Sequence, residues 1–171
     1  IVLSGNPIRK EIVPADEKMR EEACRFYGLN PDTRHLLIVG GSLGSGTLNN
    51  AMKKWISEGC PGGEGIEVIW QCGKYYKPSV DEFMKDRNLE AIQYSDFIKR
   101  MDLAYAVADV VVSRAGAGTI SELCAAAKCT IFVPSPVVAE DHQTHNAMAL
   151  VNKDAAMMVK DALAIDELMP A

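Results

Sequence analysis

The sequence predicts an α/β fold in which a doubly wound parallel sheet of about six strands carries helices on both faces. Short apolar runs alternate with longer amphipathic stretches, which is typical of repeated strand–helix units in a parallel sheet. Two of the apolar runs end in glycine-rich turns that lead into predicted helices. The chain has 171 residues, of which 48% are hydrophobic and 24% charged, so we expect one soluble globular domain over residues 1–171.

The predicted strands are short and mostly aliphatic. The first is His35-Leu-Leu-Ile-Val39, which ends at Gly40, and the second is Ile66-Glu-Val-Ile-Trp70. Continuous apolar runs of this length are typical of strands that are buried on both faces of a sheet. The remaining predicted strands are 91–94, 109–113, 130–133 and a short one at 156–159.

The helices between these strands are predicted from apolar residues at helical spacing. In the helix at 47–57 one face carries Leu48, Met52, Trp55 and Ile56. Gly59 and Pro61 follow and end this helix. The other predicted helices are 80–87, 97–107, 119–128 and 141–151.

Composition limits the classes of function. The net charge of −5 argues against a broad nucleic-acid surface, which needs clustered Lys and Arg. No stretch approaches the roughly 18 uninterrupted apolar residues of a membrane-spanning helix. The five cysteines form no C-x-x-C pair, so we expect free thiols in a reducing compartment. The chain begins without Met and stops just after a new helix begins, which predicts a piece of a longer protein.

The first glycine-rich turn, Gly40-Gly-Ser-Leu-Gly-Ser-Gly46, lies between a strand and a helix. Glycines allow close approach of a ligand to the backbone, and a helix start offers N–H groups to a phosphate, with the Ser42 hydroxyl as a further donor. A tight turn without any ligand explains the glycines equally well. A P-loop is excluded because Thr47 stands where its Lys is required.

The same turn also matches G-x-S-x-G, the nucleophile elbow of serine hydrolases. In that alternative Ser42 is the nucleophile, and Asp109 and His142 follow in the chain order of such a triad. The sequence carries no glycine-rich oxyanion loop before Ser42, and this alternative leaves the second glycine-rich turn without a role.

The second turn, Ser113-Arg-Ala-Gly-Ala-Gly-Thr-Ile-Ser-Glu122, also joins a strand to a helix start. Its small residues leave room for a ligand directly on the backbone. Glu122 lies in the first turns of the helix, where a carboxylate interacts favourably with the helix dipole. Alternatively, Glu122 accepts hydrogen bonds from the vicinal hydroxyls of a ribose, as acidic residues do in dinucleotide sites.

A third, polar loop runs from Pro134 into the helix at 141–151. Asp141 is expected to cap this helix. Gln143 carries an amide that donates and accepts, which suits a hydroxyl-rich sugar, whereas Asn146 is expected to serve helix packing. His142 and His145 lack a third metal ligand, so we expect no metal site and no cofactor.

Four motifs in this order resemble those of the MurG family of glycosyltransferases, and the resemblance covers essentially the whole chain. The motifs are Ser4-Gly-Asn-Pro-Ile-Arg9, Gly40-Gly-Ser-Leu-Gly44, Ser113-Arg-Ala-Gly-Ala-Gly-Thr-Ile-Ser-Glu-Leu123, and Pro134-Ser-Pro136 with Glu140-Asp-His-Gln143 and Asn146-Ala147. The resemblance implies one Rossmann-like half of a GT-B enzyme, the half that holds UDP-N-acetylglucosamine.

The resemblance also implies roles for individual residues. Arg9 and Ser42 are expected to contact the diphosphate, and the backbone of Ile98 the uracil edge, with Phe97 packed nearby. Glu122 is expected to hold the ribose hydroxyls and Gln143 the hydroxyls of the sugar. The sugar and phosphates are expected to lie along the start of the following helix, at Ala117, Gly118, Thr119, Ile120 and Ser121.

The family's other domain carries the lipid acceptor site and the catalytic base, so we assign no catalytic residue to this chain. The reaction that the resemblance implies is inverting transfer of N-acetylglucosamine to an undecaprenyl-pyrophosphoryl-N-acetylmuramyl-pentapeptide in peptidoglycan synthesis. It implies a peripheral location on the cytoplasmic face of the bacterial plasma membrane for the full-length protein, with contact to the membrane outside this chain.

Overall fold

The computed structural model describes residues 5–138 and 141–171. Within these ranges the helices are α1 (Glu17–Tyr27), α2 (Gly46–Ser57), α3 (Lys77–Met84), α4 (Met101–Val107), α5 (Ala117–Ala125), α6 (His142–Val151) and α7 (Ala164–Glu167). The strands are β1 (Arg34–Val39), β2 (Ile66–Gln71), β3 (Ile92–Ser95), β4 (Val110–Ser113), β5 (Cys129–Phe132) and β6 (Met157–Met158). Asp161–Leu163 forms a short 3-10 helix. None of the described helices has the length and apolar character needed to cross a bilayer.

The six strands form one parallel sheet in the order β3-β2-β1-β4-β5-β6, which confirms the predicted fold class and strand number. The chain builds the sheet outward from β1 to β3, then returns to the other side of β1 with β4. The connections after β1 and β4 therefore leave the sheet on opposite faces. In a doubly wound sheet this reversal opens a crevice at the carboxyl ends of the two strands, where ligands bind.

Apolar side chains cover both faces of the sheet. One core cluster joins the sheet to α1, α4, α5 and α6, and includes Leu37, Tyr105 and Phe132. The other joins it to α2, α3 and α7, and includes Ile38, Trp55 and Trp70. Successive residues of β1 therefore point into different clusters, as the alternation of side chains along a strand requires.

Several helices differ from the sequence predictions. Helix α3 spans Lys77–Met84 rather than 80–87, and α5 spans Ala117–Ala125 rather than 119–128. Helix α1 was not predicted. Helix α4 begins at Met101 rather than at 97, because residues 96–100 take no helical conformation. Asp141 precedes α6 but has a left-handed φ of 50° and accepts no backbone cap hydrogen bond; its Oδ1 instead accepts from Thr144 Oγ1 at 2.7 Å.

The glycine-rich turn after β1 packs closely against the turn after β2. Gly44 has a φ of +81°, and a Cβ there would meet the Cys72 carbonyl oxygen and lie 2.9 Å from the Cα of Gly73. A Cβ on Gly40 would lie 2.5 Å from the backbone nitrogen of Ser45. Gly41 also has a positive φ, of +83°, yet a Cβ there would meet nothing within 4 Å. Gly40 and Gly44 thus serve packing, whereas the backbone at Gly41 is open.

The two positive-φ glycines of this turn provide a matched test of that packing. We expect Gly41→Ala to lower the free energy of unfolding by about 1–2 kcal/mol, since only the left-handed backbone is disfavoured. We expect Gly44→Ala to cost about 1–3 kcal/mol more, because its Cβ also overlaps the backbone of the neighbouring turn. Urea unfolding of both variants measures the difference, and equal losses would contradict the packing role of Gly44.

Candidate functional site

A cavity of about 200 Å³ opens at the carboxyl ends of β1 and β4, where the strand order reverses. Both glycine-rich turns contribute to its wall. The wall consists of Arg9, Val39, Gly41, Ser42, Gln71, Phe97, Ile98, Met101, Tyr105, Arg114, Thr119 and Glu122. The pocket therefore lies where the topology alone places a ligand.

Arg9 and Glu122 form a bidentate ion pair at one side of this pocket. Arg9 Nε donates to Glu122 Oε1 at 2.8 Å, and Arg9 Nη2 donates to Oε2 at 2.7 Å. The hydrogen bond to Glu122 is the main reason why the pKa of Arg9 is raised. The Arg9 side chain is 47% exposed and that of Glu122 14%. The cation therefore lies at the mouth of the pocket and the carboxylate deeper within it.

Tyr105 of α4 lies behind the carboxylate, with its hydroxyl 3.5 Å from Glu122 Oε2. Burial, followed by the charge of Glu122, raises the pKa of Tyr105 above its usual range. The phenol therefore keeps its proton and faces the carboxylate as a donor.

The two glycine-rich turns present their helices differently. At α2, the buried Ser45 caps the helix, since its Oγ accepts from the Leu48 N–H at 3.3 Å. At α5, the N-cap residue is Gly116 and no side chain caps the described helix. A Cβ on Gly118, in the first turn of α5, would meet nothing within 4 Å. The start of α5 is thus the open N-terminus to which an anion can bind.

The segment that carries Arg9 is held against α5 and the core. Asn6 Nδ2 donates to Ser121 Oγ at 3.0 Å, and Ile12 is buried. These contacts fix both ends of the segment, so the position of Arg9 over the pocket is set by its neighbours as well as by Glu122.

Arg114 and Gln71 also line the pocket, although neither was predicted from the sequence to belong to a site. Arg114 donates to Ser45 Oγ at 2.7 Å and to the Val133 carbonyl at 2.9 Å, and it pairs with Asp161, so it connects the loops after β1, β4 and β5. Gln71 is a polar residue at the end of an apolar strand, and this was the feature of the sequence that could have pointed to it. In the structure its amide is buried.

Half of the predicted binding residues line the pocket directly: Arg9, Ser42, Ile98, Thr119 and Glu122. Ala117 and Gly118 are exposed at the adjoining start of α5. The side chains of Ile120 and Ser121 point elsewhere: that of Ile120 packs against the core, and Ser121 Oγ donates to the Ala117 carbonyl at 2.9 Å. Ser4 and Glu140, which belong to two of the motifs, lie outside the described residues.

Gln143 joins the second and third loops. Its Oε1 accepts from the Ala115 N–H at 3.2 Å and from the Ser135 N–H at 2.9 Å. Among the described residues its NH₂ group has no hydrogen-bond partner, so this group can donate to a ligand. Asn146 Nδ2 donates to the Ala115 carbonyl at 3.2 Å, which is the packing role expected for it.

The geometry opposes the serine-hydrolase alternative. Asp109 lies at the amino end of the sheet, where its Oδ2 accepts from the His35 N–H at 2.8 Å. Burial raises the pKa of Asp109, but the hydrogen bonds from His35 and Arg20 outweigh this and lower it. Ser42 follows the opposite end of β1, and six strand residues span about 20 Å. Asp109 therefore cannot orient a histidine beside Ser42.

Comparisons with known proteins agree with the fold. A family model described as "Glycosyltransferase family 28 C-terminal domain" matches residues 35–170. An N-acetylglucosamine transferase of Cytophaga hutchinsonii, named as acting with UDP-N-acetylglucosamine and N-acetylmuramyl-(pentapeptide) pyrophosphoryl-undecaprenol, is 50% identical over 169 residues, which are 99% of this chain and 44% of that protein. The relative of the same name from Parabacteroides distasonis is 47% identical, over 99% of this chain and 45% of its own length.

Solved structures show the same architecture. Acinetobacter baumannii MurG superposes with a TM-score of 0.72 at 28% identity, covering 99% of this chain and 48% of that one. WaaG, a glycosyltransferase of lipopolysaccharide biosynthesis, gives 0.66 at 14% identity, over 97% of this chain and 44% of its own, which shows the fold alone. The chain spans somewhat less than half the length of these relatives, and its fold is that of one half of a GT-B glycosyltransferase. The chain belongs to glycosyltransferase family 28, in which it corresponds to the C-terminal domain and is similar to MurG.

Proposed function

We propose that this chain binds UDP-N-acetylglucosamine as the donor half of a peptidoglycan glycosyltransferase. The observation that carries the proposal is the meeting of Arg9, the uncapped start of α5 and Glu122 around one pocket in a family 28 domain. These groups supply a cation and free N–H groups for a diphosphate, and a carboxylate for a diol, within one crevice.

The ion pair between Arg9 and Glu122 does not prevent these two roles. A carboxylate offers about four lone-pair sites, of which the bidentate guanidinium occupies two. A ribose diol can use the others, or replace Arg9 if the guanidinium turns to the diphosphate. Since Arg9 is half exposed, its pair with Glu122 is screened by water and contributes on the order of 0.2–1 kcal/mol. Moving the Arg9 guanidinium from the Glu122 carboxylate to a diphosphate therefore costs little free energy.

The contribution of these residues to catalysis is positioning and charge stabilisation. As the bond between the sugar and the diphosphate breaks, the leaving UDP gains negative charge, which Arg9 and the N–H groups at the start of α5 stabilise. The proposed reaction is inverting transfer of N-acetylglucosamine to the lipid-linked N-acetylmuramyl-pentapeptide. The acceptor, the catalytic base and the peripheral membrane contact belong to parts of the protein outside this chain.

A titration with UDP tests the donor site. We expect the chain to bind UDP, and Glu122→Gln to weaken this binding by about 1–3 kcal/mol because charge-assisted hydrogen bonds to the ribose are lost. Isothermal calorimetry measures both affinities. The matched control is Glu82→Gln on the exposed side of α3, which changes the net charge equally and should leave UDP binding unaltered.

Two outcomes would contradict the donor site. Absence of UDP binding, together with labelling of Ser42 by a serine-hydrolase probe, would support the hydrolase alternative. Equal weakening by Glu122→Gln and Glu82→Gln would show that a ribose contact of Glu122 does not account for the effect.

Gln143 provides a separate test of the sugar assignment. Gln143→Glu keeps an oxygen to accept from the Ala115 and Ser135 N–H groups but replaces the NH₂ donor. We expect this variant to bind UDP as before and UDP-N-acetylglucosamine about 5- to 10-fold more weakly, as the loss of a hydrogen bond worth roughly 1 kcal/mol predicts. Competition titrations measure both ligands. Equal competition by UDP-glucose and UDP-N-acetylglucosamine against the unmodified chain would contradict the sugar assignment.

A further inference from the structure

The last residue of β2, Gln71, connects two parts of the pocket that come from different loops. Gln71 is 5% exposed, and its amide makes a hydrogen bond in each direction. Its Nε2 donates to the Gly41 carbonyl at 2.8 Å, in the first glycine-rich turn. Its Oε1 accepts from the Ile98 N–H at 3.3 Å, in the segment between β3 and α4.

The bond to Gly41 fixes a peptide unit that glycine would otherwise let rotate. The Gly41 carbonyl accepts from Gln71 and also from the Gly44 N–H at 3.0 Å. Because a trans peptide is planar, the N–H of Ser42 in the same unit points away from both donors. Among the described residues the Ser42 N–H has no hydrogen-bond partner. Rotation of this peptide would present a carbonyl oxygen in place of an N–H to an anion.

The bond to Ile98 has a different character. Its length of 3.3 Å lies beyond the usual range for N–H···O bonds, so it is weak and readily exchanged. Ile98 is buried, and the family resemblance implies that its backbone contacts the uracil edge of the donor. Gln71 Oε1 therefore occupies the place that a base carbonyl oxygen would take as the acceptor of the Ile98 N–H.

We propose that Gln71 is a positioning residue that holds the Gly41–Ser42 peptide in its anion-binding orientation and releases the Ile98 N–H to the base. This inference rests on the proposed function. It makes Gln71 act in opposite directions on the two parts of the ligand: the diphosphate gains from the fixed peptide, whereas the base has to displace Oε1. A residue that only stabilised the fold would affect both parts alike.

The test is Gln71→Met, which has similar length and no amide, with titrations of uridine and UDP. We expect the ratio of UDP to uridine affinity to fall at least about 5-fold, as the loss of one hydrogen bond predicts. Uridine affinity should stay equal or rise. The matched control is Gln93→Met on the neighbouring strand, where the amide donates to the Tyr27 carbonyl at 2.6 Å, outside the pocket wall. This control should leave the ratio unchanged.

A second variant and a measurement on the unmodified chain complete the test. Gln71→Glu keeps an acceptor for Ile98 but sets a carboxylate oxygen against the Gly41 carbonyl, so the affinity ratio should fall at least as far as in Gln71→Met. In NMR spectra of the unmodified chain, uridine should shift the Ile98 amide resonance, and pyrophosphate alone should shift that of Ser42. These two shifts keep the proposal testable if the variants fail to fold.

The outcomes separate the two proposals. If the unmodified chain binds neither uridine nor UDP, the proposed function fails. If it binds both, an unchanged affinity ratio in Gln71→Met, or an equal loss of uridine and UDP affinity, overturns the role of Gln71 alone. Binding of uridine without a shift of the Ile98 amide also overturns that role.

Discussion

The reversal of strand order between β1 and β4 is the constraint on which the rest of the site depends. Because the two neighbouring strands continue onto opposite faces of the sheet, their connections diverge and leave a crevice between them. The other residues of the pocket wall come from parts of the chain that are distant in sequence from these two strands. Arg9 arrives from a segment before the sheet, and Gln71 and Ile98 arrive from the next two strand ends. The topology thus collects residues that no local sequence motif unites.

The two glycine-rich turns at this crevice have different physical tasks. In the first, Gly40 and Gly44 allow backbone to pack on backbone, and Ser45 already caps the helix that follows. In the second, the helix start is uncapped and a side chain on Gly118 would meet open space. In the proposed donor site a phosphate is therefore expected to bind more directly to the second turn. The first turn contributes its exposed part, Gly41 and Ser42, in an orientation that other residues maintain.

The sequence pattern was sufficient for the strands, the fold class and the two glycine-rich turns of the pocket wall, because buried parallel strands are continuous apolar runs and their carboxyl ends share one edge. Arg9 and Ile98 were expected only from the family resemblance. The sequence did not predict the features that depend on contacts between residues far apart in the chain. Helix α1 buries only Ala23 and Cys24, small residues that give a weak apolar pattern in a charged segment. Ile98 has helical spacing with Met101 and Tyr105, yet its N–H bonds to Gln71 instead. The pairing of Arg9 with Glu122 joins residues 113 positions apart and has no local signal.

That ion pair explains how one pocket keeps a cation and an anion ready for different parts of a ligand. The proposed site for a diphosphate next to a diol needs a positive group beside a carboxylate, and the Glu122 carboxylate, which is only 14% exposed, would be poorly solvated alone. The two groups satisfy each other, Glu122 from the partly buried side and Arg9 from the exposed side. Because the guanidinium remains close to water, the pair holds the carboxylate in position without a large barrier to exchange. In the proposed donor site the groups are therefore already arranged for binding, and a diphosphate would replace one anion beside Arg9 with another.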